Sequence, residues 1–325
     1  MPIFDFPKDL KVVAEVEVFT LGLYILFAVT AFVCEYVDSA LGGGYGTLLV
    51  PFLMILFDIP KALLIPAVLF SEIFAGFGSA LLHHKLGNAT FSIRKKNKQA
   101  SVQKIAYKMS QPEDSHDQIT RTQRYVNNQF SRKREILHSI HLSEDAQLSF
   151  TLGFLGIIGG IVAAFASFNI PDKAVKTYIG VLVIIVGLIV LARLKWKFSW
   201  WKISAIGLLA AFNKGLSGGG YGPLISSGQI IVDRNPKQAI ASTSLSEALV
   251  CVASLVIYMS SGTIIFSAGY WYMFVSLFIG AMLSVPLAVL TVKYLSVNKL
   301  QPSIGVIAIL LGIFMLLKAY IPSFS

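Results

Sequence analysis

The chain has 325 residues, of which 55% are hydrophobic and only 14% are charged, and its mean hydropathy is +0.70. Because a soluble domain carries about 25% charged residues, this composition excludes an ordinary soluble protein and indicates several membrane-spanning segments. The net charge of +10 does not point to nucleic acid, because 12 Lys/Arg against 6 Asp/Glu fall between Lys85 and Asp145. A basic loop of this kind is typical of the cytoplasmic side of a membrane.

Ten apolar segments follow one another along the chain, with a long polar stretch at residues 86–146. Most segments approach the roughly 20 residues that cross a bilayer, whereas the second and the seventh are about half that long. In chain order they cover residues 18–41, 47–57, 60–82, 148–168, 174–194, 200–216, 222–232, 236–258, 270–292 and 301–319.

A pentapeptide, Gly-Gly-Gly-Tyr-Gly, occurs twice, at Gly42–Gly46 and at Gly218–Gly222, and each copy leads into a short segment. Two further dipeptides recur at the same spacing or one residue off: Pro60-Lys61 as Pro236-Lys237, and Ser71-Glu72 as Ser246-Glu247. A repeat therefore divides the chain into halves. Glycine costs a helix about 1 kcal/mol relative to alanine, so each triplet predicts a helix break. Matching breaks in two halves point to the binding site of a transporter.

The charged loops predict the topology. If all ten segments cross the membrane, the long basic loop and the other charged connections share one side, as the positive-inside rule requires. Each half then has five crossings, so the halves point in opposite directions. The sequence therefore predicts an all-α polytopic membrane protein with two inverted five-segment repeats and about ten transmembrane segments, two of them short and glycine-broken.

The first repeat is predicted to comprise residues 18–85, with segments one to three, and residues 147–195, with segments four and five. Residues 86–146 between them are predicted to form a hydrophilic, basic cytoplasmic insertion. The second repeat, with segments six to ten, covers residues 196–321. We expect a multi-pass protein of the plasma (inner) membrane with both termini outside.

The two glycine motifs, their position after the first helix of each half, and the hydrophilic loop resemble the sulfite exporter TauE/SafE family, which belongs to the 4-toluene sulfonate uptake permeases. The resemblance covers the apolar part of the chain and omits residues 86–146. It implies secondary transport of small sulfur-containing anions such as sulfite or organosulfonates. It also implies a role for Gly42–Gly44 and Gly218–Gly220.

A compact anion with three oxygens needs hydrogen-bond donors and positive potential in a medium of low dielectric. The helix N-termini that follow the glycine runs supply backbone amides, and Lys214 is the one Lys or Arg in the apolar interior of the glycine region. The predicted substrate-binding residues are the glycines, this lysine and neutral donors beside them: Ser39, Gly42, Gly43, Gly44, Tyr45, Lys214, Ser217, Gly218, Gly219, Gly220 and Tyr221. The alternative is that the glycines serve only close helix packing.

Asp38 and Lys214 each lie four residues before their glycine triplet, so we expect the two charges to pair across the pseudo-two-fold axis. Glu72 and Glu247 are a second equivalent pair. Buried carboxylates of this kind either carry protons as the coupling ion or accept hydrogen bonds within the helix bundle. Glu35 receives less weight, because the sequence suggests a position close to the membrane interface.

No metal-ligand spacing, catalytic constellation or nucleotide-binding motif is found in the sequence, so we expect no metal, no cofactor and no enzymatic activity. The expected partners are a small sulfur-containing anion, the lipid bilayer and protons, not nucleic acid. The leading prediction is an exporter of sulfite or an organosulfonate that works by alternating access. The alternatives are an anion or cation channel and a transporter of another small organic anion.

Overall fold

The computed structural model describes residues 10–57, 59–95, 140–192, 199–232, 234–260, 268–294 and 301–321. Within these ranges the chain forms ten α-helices, which coincide in order and approximate extent with the ten apolar segments of the sequence. They are α1 (Leu10–Leu41), α2 (Tyr45–Phe57), α3 (Lys61–Lys85), α4 (Glu144–Asn169), α5 (Asp172–Ala192), α6 (Trp200–Ser217), α7 (Tyr221–Ile231), α8 (Pro236–Ser260), α9 (Ala268–Tyr294) and α10 (Gln301–Tyr320).

Five helices of the described residues, α1, α3, α4, α8 and α9, are long and apolar enough to cross a membrane, and α2 is a shorter apolar helix. The outer surface of α1 fits this reading, because Leu21, Ile25, Val29 and Val33 are each more than half exposed. Residues at intervals of four share one side of a helix. An exposed apolar stripe of this kind is suited to contact with lipid. Together with the five long apolar helices, it identifies the chain as a multi-pass membrane protein.

Helices α3 and α8 cross the centre of the molecule side by side and run antiparallel. Gly76, late in α3, lies against Ser244, early in α8. Leu69, earlier in α3, packs in one cluster with Leu255, late in α8. Because both helices have 25 residues, this register brings their midpoints together.

Helix α9 lies beside α1 and runs in the same direction. The rings of Tyr24 and Tyr272 meet at one end of the pair, with centroids 5.4 Å apart. Farther along, a Cβ on Gly280 would lie 2.0 Å from the carbonyl oxygen of Ala28. The two backbones therefore touch at a point that accepts no side chain.

Helix α4 packs on α8 and on α6 through a glycine-rich face. Gly153 lies against Leu249 and Gly160 against Ser254, so α4 and α8 run in the same direction. The same face of α4 contacts Ala211 of α6. Small residues allow this close approach, which is the usual packing device of membrane helices.

The ends of the polar insertion pair with each other. Strand β1 (Ile93–Lys95) pairs antiparallel with strand β2 (Ile140–Leu142), and the backbone N–H of Thr90 donates to the carboxylate of Asp145 at 2.8 Å. The all-α fold class is confirmed for the helical part, and this short ladder, which closes the ends of the loop, is a feature that the sequence did not predict. The bulk of the predicted insertion, residues 96–139, lies outside the described residues.

Candidate functional site

Each glycine motif joins two helices by the same backbone device. Gly42 and Gly218 follow the last residues of α1 and α6 with φ of 79° and 74°, in the left-handed region that favours glycine. The N–H of Gly42 donates to the carbonyl of Asp38 at 2.7 Å, and that of Gly218 donates to the carbonyl of Lys214 at 2.8 Å. Asp38 and Lys214 are thereby held beside the breaks.

The two motifs touch each other backbone to backbone. A Cβ on Gly46 would lie 1.8 Å from the carbonyl oxygen of Gly218, and a Cβ on Gly43 would lie 2.1 Å from the backbone nitrogen of Pro223. Real Cβ atoms do not approach so closely, so only glycine fits at either position. The motifs that are far apart in the sequence therefore form one centre.

Hydrogen bonds fasten this contact. The N–H of Gly220 donates to Oγ1 of Thr47 at 2.9 Å, which links the second motif to α2. The hydroxyl of Tyr45 is hydrogen-bonded to that of Ser71 on α3 at 2.6 Å. Both partners of that bond are fully buried, so the predicted donor Tyr45 already has a partner within the protein.

Two other predicted substrate residues are also buried. The hydroxyl of Ser217 donates to the carbonyl of Asn213 at 2.7 Å. Tyr221 has no exposed surface and packs in a cluster with side chains of α4, α6 and α8. These residues therefore lie at the centre with the glycines.

Lys214 is fully buried and forms ion pairs with both glutamates at the midpoints of α3 and α8. Its Nζ contacts the carboxylate of Glu72 and lies 3.0 Å from Oε1 of Glu247. The expected pairing of Lys214 with Asp38 is therefore replaced by two other pairings. The side chain of Lys214 reaches between α3 and α8, which equivalence of sequence positions could not reveal.

Asp38 instead holds the beginning of α2. The N–H of Tyr45 donates to the Asp38 carboxylate at 3.2 Å. A carboxylate at this point interacts favourably with the positive end of the helix dipole. The place where we expected a substrate anion thus holds an anionic group of the protein itself.

Three carboxylates surround one ammonium group. One oxygen from each of Asp38, Glu72 and Glu247 lies within 4.8 Å of the others, a spacing that could also hold a metal ion. The ammonium of Lys214 already supplies positive charge to two of them. Carboxylate oxygens of Asp38 and Glu247 also lie 3.2 Å from a Cβ built on Gly222, so the charges border the second motif directly.

Glu35, which the sequence suggested lies close to the membrane interface, is a buried acid. It is 1% exposed, and the hydroxyl of Ser39 donates to its Oε1 at 2.6 Å. Glu35 lies three residues before Asp38, a helical spacing that puts both side chains on one face. That spacing was the available signal for a shared site.

The fold and this buried, charged centre define a multi-pass helical membrane protein built for transport. The family model described as Sulfite exporter TauE/SafE matches residues 137–315, which is more than half of the chain, and the chain therefore belongs to this family. The resemblance drawn from the glycine motifs is thus confirmed, and the family is one of membrane transporters. No curated protein and no solved structure matches the chain.

Proposed function

We propose that the protein is a secondary transporter that exports a small sulfur-containing anion, sulfite or an organosulfonate, by alternating access. The observation that carries this proposal is the fully buried Lys214, held by Glu72 and Glu247 where the two glycine motifs meet. Charged side chains at the middle of membrane helices mark transport paths in many membrane proteins. Lys214 is the group in this centre with a full positive charge for an anion.

Two inverted repeats underlie the proposed mechanism, the first formed by residues 18–85 and 147–195 and the second by residues 196–321. The helix packing supports them, because contacts recur in equivalent pairs. Helix α9 packs on α1 and α3, and α4 packs in the same way on α6 and α8. The central pair, α3 and α8, is antiparallel, as equivalent helices of an inverted repeat must be.

The substrate would bind by replacing carboxylates. Asp38 holds the beginning of α2, and Glu72 and Glu247 hold Lys214. Protonation of these acids removes their negative charge. The first backbone amide of α2 and the ammonium of Lys214 then become available to an external anion. Anion and protons therefore bind together, and proton binding is the coupling event.

This exchange gives the two states that a carrier needs. Without substrate, Lys214 is paired with carboxylates, so the empty centre can reorient without an unpaired ammonium group in the membrane. With substrate, the anion pairs with Lys214 while protons neutralise the acids. A centre that has bound the anion without the protons, or the protons without the anion, keeps uncompensated charge, which is unfavourable in a low dielectric.

The orientation that we propose puts both termini outside the plasma (inner) membrane and residues 86–146 in the cytoplasm. The surplus of basic residues in the insertion supports it. Single-cysteine variants at Ser325 and Ser115 test it in intact cells with a membrane-impermeant reagent. We expect labelling at position 325 only, and labelling at position 115 only would reverse the orientation.

A ligand-induced thermal shift of the purified protein tests the proposed substrate class. Sulfite, thiosulfate, sulfoacetate, sulfate and acetate are compared on the parent, on Lys214→Met and on Lys202→Met, whose lysine is exposed on the same helix. At least one sulfur anion should raise the Tm of the parent and of Lys202→Met but not of Lys214→Met. Equal shifts in all three proteins, or none with any sulfur anion, would contradict the proposal.

A further inference from the structure

We propose that Glu35 is a proton-binding residue of the transport centre and carries its proton on Oε2 in the conformation described here. This inference rests on the proposed function, since it adds a fourth acid to the same centre. Glu35 is 1% exposed, and its Oε2 has no hydrogen-bond partner among the described residues. A buried oxygen without a donor is a poor place for a negative charge.

The other three acids have compensation that Glu35 lacks. Glu72 and Glu247 contact the ammonium of Lys214, and Asp38 accepts the first amide of α2. Glu35 accepts one hydrogen bond, from the hydroxyl of Ser39, and none of the ion pairs of the described residues includes it. Of the four carboxyl groups, Glu35 is therefore the one that a proton stabilises most.

Two acids and one ammonium group face Glu35, and the ammonium opposes the acids by favouring the charged form of the carboxyl group. The three groups are Asp38 on its own helix, Glu247 on α8 and Lys214 on α6. The two acids disfavour a further negative charge, and Lys214 is already engaged by two carboxylates. The remaining titratable neighbours, Cys34 on α1 and Tyr45 on α2, are neutral groups that supply no positive charge.

Ser39 and His83 are the positioning residues of this site. Nε2 of His83 lies 3.4 Å from the carbonyl oxygen of Ser39, and Nδ1 lies 3.0 Å from Nδ2 of Asn88. The Asn88 amide donates to Nδ1, which leaves Nε2–H to donate to Ser39. The imidazole thereby fixes Ser39, whose hydroxyl holds Oε1 of Glu35 and leaves Oε2 for the proton.

The proton balance is simple. When the centre opens to the loading side, a proton from solvent forms an O–H bond at Oε2 before the anion binds, and the conformation described here, with Lys214 paired to carboxylates, is this proton-loaded state that precedes anion binding. When the centre unloads on the other side, that bond breaks and the proton returns to solvent. Position 211, which is equivalent to position 35 in the second half, is Ala211, so one such proton is bound for each centre.

Proton stoichiometry tests the inference. Anion flux and proton flux are measured together in proteoliposomes for the parent, for Glu35→Gln and for the exposed control Glu144→Gln. Glu35→Gln should still exchange anion but should move one proton fewer per anion, and Glu144→Gln should match the parent. An unchanged stoichiometry in Glu35→Gln would overturn the inference. Absence of anion flux from the parent would instead overturn the proposed function.

Infrared spectroscopy provides a test that needs no transport. At neutral pH the parent should show the carbonyl stretch of a protonated carboxylic acid, and Glu35→Gln should lose it. Ser39→Ala should raise its frequency, because the hydrogen bond to Oε1 is lost. A parent spectrum without a protonated acid, or a band that survives in Glu35→Gln, would refute the assignment even if the transport variants fold poorly.

Discussion

Around the first glycine motif two equivalent positions carry the acids Asp38 and Glu35, whereas around the second they carry Lys214 and Ala211. The backbone cap before the two motifs is nonetheless the same. The same backbone hydrogen bond, from the first glycine of the motif to the residue four positions earlier, caps the helix before each motif. The backbones of the two motifs are in direct contact with each other. The glycines that the two halves share thus form one backbone scaffold. The positions at which the halves differ put two acids beside the first motif and a lysine beside the second.

A second pair of positions shows the same division. Nε2 of His83 meets the carbonyl of Ser39, and the hydroxyl of Tyr258 donates to the carbonyl of Gly215 at 3.0 Å. The two carbonyls each lie three residues before a glycine triplet. The contact is retained while the side chain changes from an imidazole to a phenol.

The largest effect should come from breaking the shared scaffold. Gly46→Ala puts a methyl group on the backbone of the second motif, and overpacking of this kind costs about 3 kcal/mol or more of unfolding free energy. Gly219→Ala, on the other side of the same contact, should be similarly damaging. Gly22→Ala has open space and should gain up to about 1 kcal/mol of helix stability. Thermal unfolding in detergent measures all three, and equal Tm values would remove the close contact from the account.

Removal of the basic group should have the next largest effect. Lys214→Met leaves Glu72 and Glu247 without their partner and should cost about 3–5 kcal/mol of stability. Adding Glu72→Gln and Glu247→Gln to it removes the orphaned charges. The triple variant should regain stability without regaining anion flux, as measured by Tm and by proteoliposome uptake. Recovered flux would mean that Lys214 serves only as an ion-pair partner.

The equivalent acids should control coupling more than stability. Because protonation of Glu72 and Glu247 would free Lys214, net anion flux in the parent should rise as the pH falls. Glu72→Gln and Glu247→Gln should each flatten this dependence and leave equilibrium anion exchange largely intact. A parental pH profile in both variants would make these carboxylates purely structural.

Asp38→Asn should have the smallest effect. The asparagine side chain can still accept the N–H of Tyr45, while the negative charge that competes with substrate is gone. Anion affinity should therefore stay the same or rise by a few-fold, in contrast to its loss in Lys214→Met. A titration of sulfite by thermal shift compares the two variants, and a fall in affinity for Asp38→Asn would show that the aspartate contributes to binding.

The helices were predictable because bilayer thickness fixes the length of an apolar segment, and because glycine triplets or polar connections separate the segments. The repetition of the glycine motif in both halves indicated that the two copies form one site. The partners of Lys214 were not predictable, because they depend on the register between α3 and α8, which small side chains such as Gly76 and Ser244 determine. The burial of Glu35 likewise depends on its neighbours in space.

The short β1–β2 ladder escaped prediction for a different reason. Three residues on each side are too few to produce a period in the sequence, and the two strands are separated by the bulk of the insertion, residues 96–139. Their pairing depends on closure of that loop. Local pattern therefore identifies the segments of this protein, whereas the charges at its centre are organised by packing.

The most direct test of exchange between carboxylates and substrate is the number of protons taken up when an anion binds. An organosulfonate is suitable because its sulfonate stays ionised near neutral pH. It is mixed with detergent-solubilised protein in weak buffer containing a pH indicator. The parent should take up at least one proton per anion bound, and Lys214→Met should neither bind the anion nor take up protons. Tight binding to the parent without proton uptake would contradict this exchange.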